Sequence, residues 1–209
     1  MKIKSKFLSL LLTLLLVGCY PRRDGDVFIT SGKDLVVKRE GKSLKFNLRA
    51  SVADKAKAFV NGDDVFVVSM SNRIVKFSIT AGAIAWEKSI GSIPLDNLSF
   101  RDSKKVYFTT MDNRFYVLDY DTGKIEFLYS NINEKTIVHR IKPIYYQKKN
   151  LVVVTFNGGD VIIFDGANNS IVKTIPSGKG ALGETSVSLS GHILKINEDL
   201  IDLDSVRKK

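Results

Sequence analysis

The sequence is poor in the residues that carry most site chemistry. Its 209 residues include one cysteine, Cys19, and two histidines, His139 and His192. A lone cysteine excludes an internal disulfide framework, so the core alone must hold the fold, even in an oxidising compartment. Neither histidine has Cys, Asp or Glu companions at metal-ligand spacing, and no metal site is expected. The G-x-S-x-G arrangement of a nucleophile elbow is missing, and no catalytic residue stands out. Apolar runs stop well short of the roughly 20 residues that a bilayer-spanning helix needs. The 3.6-residue periodicity of amphipathic helices is absent as well. What remains is an ordinary globular balance, with 44% hydrophobic and 26% charged residues.

The N-terminus has to be set aside before the fold is read. Lys2, Lys4 and Lys6 form a basic segment ahead of an eleven-residue apolar stretch, Phe7 to Val17. The stretch ends in Leu16-Val17-Gly18-Cys19, which resembles a lipobox, the site at which lipoprotein signal peptides are lipidated on cysteine and cleaved before it. Residues 1–18 are therefore expected to be a signal peptide and Cys19 the lipidated first residue of the mature chain. A single acyl chain anchors only marginally, whereas two or more hold firmly. Position 20 is Tyr, not the Asp that favours inner-membrane retention in enterobacterial lipoproteins, which implies the periplasmic face of the outer membrane. Loss of residues 1–18 removes three lysines and no acid, taking the net charge from +10 to +7. That charge suits an anionic surface or acidic partner patches and does not single out nucleic acid.

The rest of the chain repeats. Val65-Phe66-Val67-Val68-Ser69-Met70-Ser71-Asn72-Arg73 aligns without a gap on Val106-Tyr107-Phe108-Thr109-Thr110-Met111-Asp112-Asn113-Arg114, and Gly82 falls on Gly123, all 41 residues apart. A third copy runs from Leu151 to Asp165, with weaker ones near Asp26–Val37 and Thr185–Leu203. Each copy has β-rich apolar runs separated by Asn, Asp and Gly, the residues that supply the positive φ of tight hairpins. A period of about 40–45 residues with about four strands per unit predicts an all-β fold, a β-propeller of four-stranded blades. Repeat units are expected near 56–96, 97–141 and 142–183, within a propeller domain spanning 19–209.

The unit Arg114-Phe115-Tyr116-Val117-Leu118-Asp119-Tyr120-Asp121-Thr122-Gly123-Lys124-Ile125 resembles the quinoprotein-type (PQQ-like) propeller repeat. So does Ile74–Lys88, whose Thr80-Ala81-Gly82-Ala83-Ile84-Ala85-Trp86 stands for that family's D-x-x-T-G-x-x-x-W. With the lipoprotein signal, the chain resembles the propeller lipoproteins of the outer-membrane β-barrel assembly machinery. That resemblance implies a non-enzymatic scaffold whose partners are barrel-assembly subunits and unfolded outer-membrane proteins. The 191 residues after the signal hold fewer than five units of 41, against the family's eight blades. A small closed ring of four or five blades, a half that dimerises and a truncated product all fit. The repeat also occurs in quinone-binding enzymes, but the acidic–asparagine cluster of their calcium site is missing, and no cofactor is expected.

Candidate site residues are few. Arg73 and Arg114 follow the same turn in successive units and are expected to line one rim. Arg140, Lys142, Lys148 and Lys149 form a basic region around Tyr145-Tyr146, and Arg140 and Tyr145 are its partner-binding candidates, since Arg and aromatic residues anchor interfaces. Gly178–Thr185 has the glycines of a phosphate loop but carries Glu184 where lysine is required, and is read as an inter-blade loop.

Overall fold

Hairpins set the architecture. In a computed structural model of the chain, the described residues are 27–30, 34–39, 42–47, 57–69, 71–95, 98–101, 104–130, 142–156, 160–176 and 186–207. They form eighteen strands and one 3₁₀ turn, Gln147–Lys149. Five antiparallel meanders follow one another along the chain, with three, four, four, four and three strands. The first is β1 (Val27–Thr30), β2 (Asp34–Arg39) and β3 (Lys42–Asn47). The second holds β4 (Lys57–Asn61), β5 (Asp64–Ser69), β6 (Arg73–Ser78) and β7 (Ala83–Ser89). The third holds β8 (Ser99–Arg101), β9 (Lys105–Thr109), β10 (Arg114–Asp119) and β11 (Ile125–Ser130). The fourth holds β12 (Ile144–Tyr146), β13 (Leu151–Thr155), β14 (Val161–Asp165) and β15 (Ser170–Ile175). The fifth is β16 (Val187–Ser190), β17 (Ile193–Ile196) and β18 (Asp199–Asp202). The sheets are the blades of a β-propeller that does not close into a ring.

Middle strands are buried on both faces, which is why they read as unbroken apolar runs. Within β5, Val65 and Val67 pack toward the first sheet with Leu35 and Val37, while Phe66 and Val68 pack toward the third with Phe108 and Tyr116. The third and fourth sheets meet through Tyr107, Phe115, Val117, Val152, Val154 and Phe164. The fourth and fifth meet through Leu151, Val153, Ile163, Leu194 and Ile196. The outer strand β11 alternates between half-buried and exposed positions, as a strand covered on one face should. On the fifth sheet, Ser188, Ser190, Lys195, Leu200 and Asp202 are exposed. These residues share the face opposite Leu194 and Ile196 by register.

The turns answer to the same residues in each unit. Asn72 and Asn113 both sit at φ 60°, where asparagine is tolerated far better than a β-branched residue. The repeated backbone bonds Ile79 N–H to Asp63 O, Tyr120 to Lys104, Gly166 to Asn150 and Leu203 to His192 staple the same corner of the last four sheets.

Candidate functional site

Arg73 and Arg114 open β6 and β10, the third strands of adjacent sheets. Thr110 Oγ1 donates to Asp112 Oδ1 at 2.6 Å and accepts the Arg114 N–H at 3.3 Å, so the turn presents Arg114 in one orientation. Both guanidinium groups have local partners. Arg73 Nη1 donates to the Glu87 carboxylate across the β6–β7 ladder. Arg114 Nε pairs with Asp112 Oδ2 at 3.0 Å, and the Tyr116 hydroxyl with the Asp112 charge raises its pKa further. The arginine side chains remain 43% and 35% exposed.

Tyr145 reaches into a seam between two sheets. It lies on β12, half-buried, and its hydroxyl donates to Asn150 Oδ1 at 2.7 Å. There it belongs to a polar clamp on the seam between the third and fourth sheets that spacing in sequence did not reveal. Arg101 Nη1 donates to Gly166 O at 2.8 Å and Nη2 to Asn150 Oδ1 at 2.7 Å, with its Cζ 5.7 Å from the Tyr145 ring centre. Lys105 Nζ reaches Gly166 O at 2.9 Å, Asn169 Oδ1 at 2.7 Å and Glu126 Oε2 at 3.2 Å. Tyr107 is fully buried beside this clamp, and burial pushes its pKa up to about 12. A signal was present in the asparagines: Asn150 and Asn169 hold φ of 53° and 51° and place their amides in the seam.

The basic region around Tyr146 also turns inward in part. Tyr146 Oη donates to Asp204 Oδ1 at 2.6 Å, Lys148 bonds the same carboxylate, and Lys149 Nζ reaches Val206 O at 3.1 Å. These contacts fasten the end of the fifth sheet to the fourth. Cys19, Arg140, His139 and Gly178–Thr185 lie outside the described residues. Among the described residues, no three of His, Cys, Asp and Glu stand close enough to share a metal ion, and no helix is long and apolar enough to cross a membrane.

The seam between the second and third sheets carries the repeat's signature. Trp86 Nε1 donates to Tyr120 O at 2.9 Å, and the indole lies on Gly123. Beside it, Lys76 is buried between Asp64 at 3.2 Å and Asp121 at 3.5 Å, with its ammonium 4.1 Å from the Tyr120 ring centre. Phe46 stands over Gly82 in the same manner one sheet earlier. An aromatic ring of one sheet seated on the turn glycine of the next, at both of these seams, is consistent with a propeller of PQQ-like repeats.

The family model described as "Outer membrane protein assembly factor BamB" matches residues 17–191, and the chain belongs to that family. Among solved structures it is similar to BamB from Moraxella catarrhalis, with a TM-score of 0.65 and 16% identity over 89% of this chain and 63% of that one. The chain thus spans less than two thirds of that relative's length. A europium-containing methanol dehydrogenase is similar over 56% of this chain and 23% of its own, with 20% identity and a TM-score of 0.43. No curated protein matches.

Proposed function

We propose that the chain is a non-catalytic scaffold lipoprotein of outer-membrane β-barrel assembly. The observation that carries the reading is the BamB family match, which runs from residue 17 through four of the five sheets. In this reading residues 1–18 are removed, Cys19 carries the lipid, and residues 19–209 form a blade array at the periplasmic face of the outer membrane. Partners are barrel-assembly subunits and unfolded outer-membrane proteins. Arg73 and Arg114 offer half-exposed guanidinium groups to one of those partners, and Arg140 and Tyr145 are further partner-binding candidates. No cofactor takes part.

The test is crosslinking and copurification from solubilised outer membranes. Wild type should bring down barrel-assembly subunits, and Arg73→Ala combined with Arg114→Ala should reduce the yield several-fold. Palmitate labelling should be lost in Cys19→Ala. Full recovery of wild type without any barrel-assembly subunit would refute the reading.

A further inference from the structure

At three of the four seams between successive sheets, the last strand of the earlier sheet supplies an aromatic ring to the later one. Phe46 of β3 lies over Gly82, Trp86 of β7 lies over Gly123, and Phe127 of β11 meets Phe164 with ring centres 4.8 Å apart. The backbone fixes the position. Trp86 and Phe127 stand opposite Lys76 and Val117, each beside a bulge in the last ladder of its sheet. The fourth sheet has the same bulge, and the residue opposite Ile163 there is Lys173, which is exposed. Its strand β15, Ser170-Ile171-Val172-Lys173-Thr174-Ile175, contains no aromatic residue.

A cleft of about 230 Å³ lies at this place, lined by Val172, Lys173, Ile201, Ser205, Val206 and Arg207. Val172, Ile201 and Val206 are half-buried against the core of the fourth and fifth sheets and give the cleft an apolar floor. Val206 stands three residues past the backbone staple at Leu203, where Gly82 and Gly123 stand past Ile79 and Tyr120. The cleft is thus the position of an aromatic ring and its turn glycine with neither residue present. Lys173 and Arg207 are exposed and bring two cations to it, while Asp204 is bonded by Lys148 and Tyr146. Pockets that take a whole small ligand run to roughly 300–1,000 Å³, so this one suits a single side chain. Residues 177–185, between β15 and β16, include no aromatic residue to fill it.

We infer that this cleft is a docking seat for an aromatic side chain of another polypeptide, one with a carboxylate beside the ring. The ring takes at the fourth seam the position that Trp86 takes at the second, resting on Val172, Ile201 and Val206. Lys173 and Arg207 supply a cation to the ring face and a charged partner to the carboxylate. Aromatic anchors held in small desolvated pockets carry a large share of interface energy, so one such residue is enough to fix a partner's register. The inference rests on the scaffold reading for the source of that polypeptide, but not for the seat itself.

The probe is a fluorescein-labelled peptide, Gly-Ser-Trp-Asp-Ser-Gly, titrated into the detergent-solubilised full chain. Saturable binding is expected. Alanine in place of the peptide's tryptophan should weaken it at least about tenfold, and lysine in place of its aspartate about threefold. Lys173→Trp combined with Val206→Gly rebuilds the arrangement of Trp86 on Gly123 and should abolish binding. Lys195→Ala, on the opposite face of the fifth sheet, should leave it unchanged. A benzophenone in place of the indole should crosslink wild type at residues 172–173 or 201–207. Crosslinks confined to other sheets, equal binding of the alanine peptide, undiminished binding by the double variant, or no binding by wild type would overturn the inference. Because the wild-type crosslink map is decisive by itself, the inference stays testable if a variant misfolds. Copurification with assembly subunits but no peptide binding would remove the seat and keep the scaffold reading. Peptide binding without those subunits would do the reverse.

Discussion

Trp86 is seated on Gly123, so closely that a β-carbon at 123 would lie 2.7 Å from the indole ring. Gly123 also sits at φ 67°, where an L side chain is strained. Gly82 shares the conformation, at φ 63°, but a β-carbon there would stand 3.5 Å from Phe46, an ordinary contact. Gly82→Ala should therefore cost only the backbone strain, about 1–2 kcal/mol. Gly123→Ala adds displacement of a buried indole and its bond to Tyr120 O, and should cost at least about 1 kcal/mol more. Urea denaturation, followed by the fluorescence of the single tryptophan, measures both. Equal costs would mean that the indole is not held against the turn.

Arg101 and Lys105 converge on one acceptor, Gly166 O, at 2.8 and 2.9 Å. Removing either should leave the other to satisfy that carbonyl. Arg101→Ala is expected to cost about 2–3 kcal/mol, since its bond to Asn150 goes too. The pair should be non-additive, with a coupling on the order of 1 kcal/mol in a double-mutant cycle with Lys105→Ala. Additive losses would show that the two cations act on separate parts of the seam.

Burial raises the Tyr107 phenol to about 12. Between the ordinary tyrosine pKa, about 10, and that value, the unfolded chain has released this proton and the native one retains it. Stability must therefore fall as pH rises through this interval. Its hydroxyl is buried without a well-formed hydrogen bond, so Tyr107→Phe should be near neutral at pH 7. The same variant should show a shallower loss of stability than wild type from pH 10 to 12, read from urea melts across that range. Parallel profiles would place the alkaline loss elsewhere.

Asp204 is held below the usual carboxylate range by its bonds from Lys148 and Tyr146. A depressed carboxyl contributes stability above the unfolded pKa and loses it as pH falls through the folded value. Acidification below about pH 4 should thus loosen the attachment of β16–β18 first. Hydrogen exchange should show early loss of protection there, and Asp204→Asn should show it already at pH 7. Uniform loss across all five sheets would argue against a local clasp.

The fold was legible in the sequence to the extent that residues act locally. Asn72 and Asn113, spaced 41 apart, mark the same turn at the same φ, and the apolar runs of β5, β9 and β13 announce strands buried on both faces. The first strands of the third and fourth sheets were not legible. Ser99–Arg101 and Ile144–Tyr146 are too short to show a pattern, and pairing with β9 and β13 defines them. The clamp around Arg101 was hidden for a related reason, because Arg101 and Gly166 lie 65 residues apart and meet only once two sheets pack. Tyr145 was legible as a candidate but not as a seam residue, since its partner Asn150 acts through a turn that only the fold defines.

The open ring has a thermodynamic consequence. In a closed propeller every blade has two neighbours, and losing one blade breaks two seams. Here the first and fifth sheets each have one described neighbour, so the molecule behaves as a short linear array with nearest-neighbour coupling. Unfolding should fray inward from both ends, with the second to fourth sheets forming the last cooperative unit. The Trp86 and Arg101 seams both lie within that unit, so they should be the last to open.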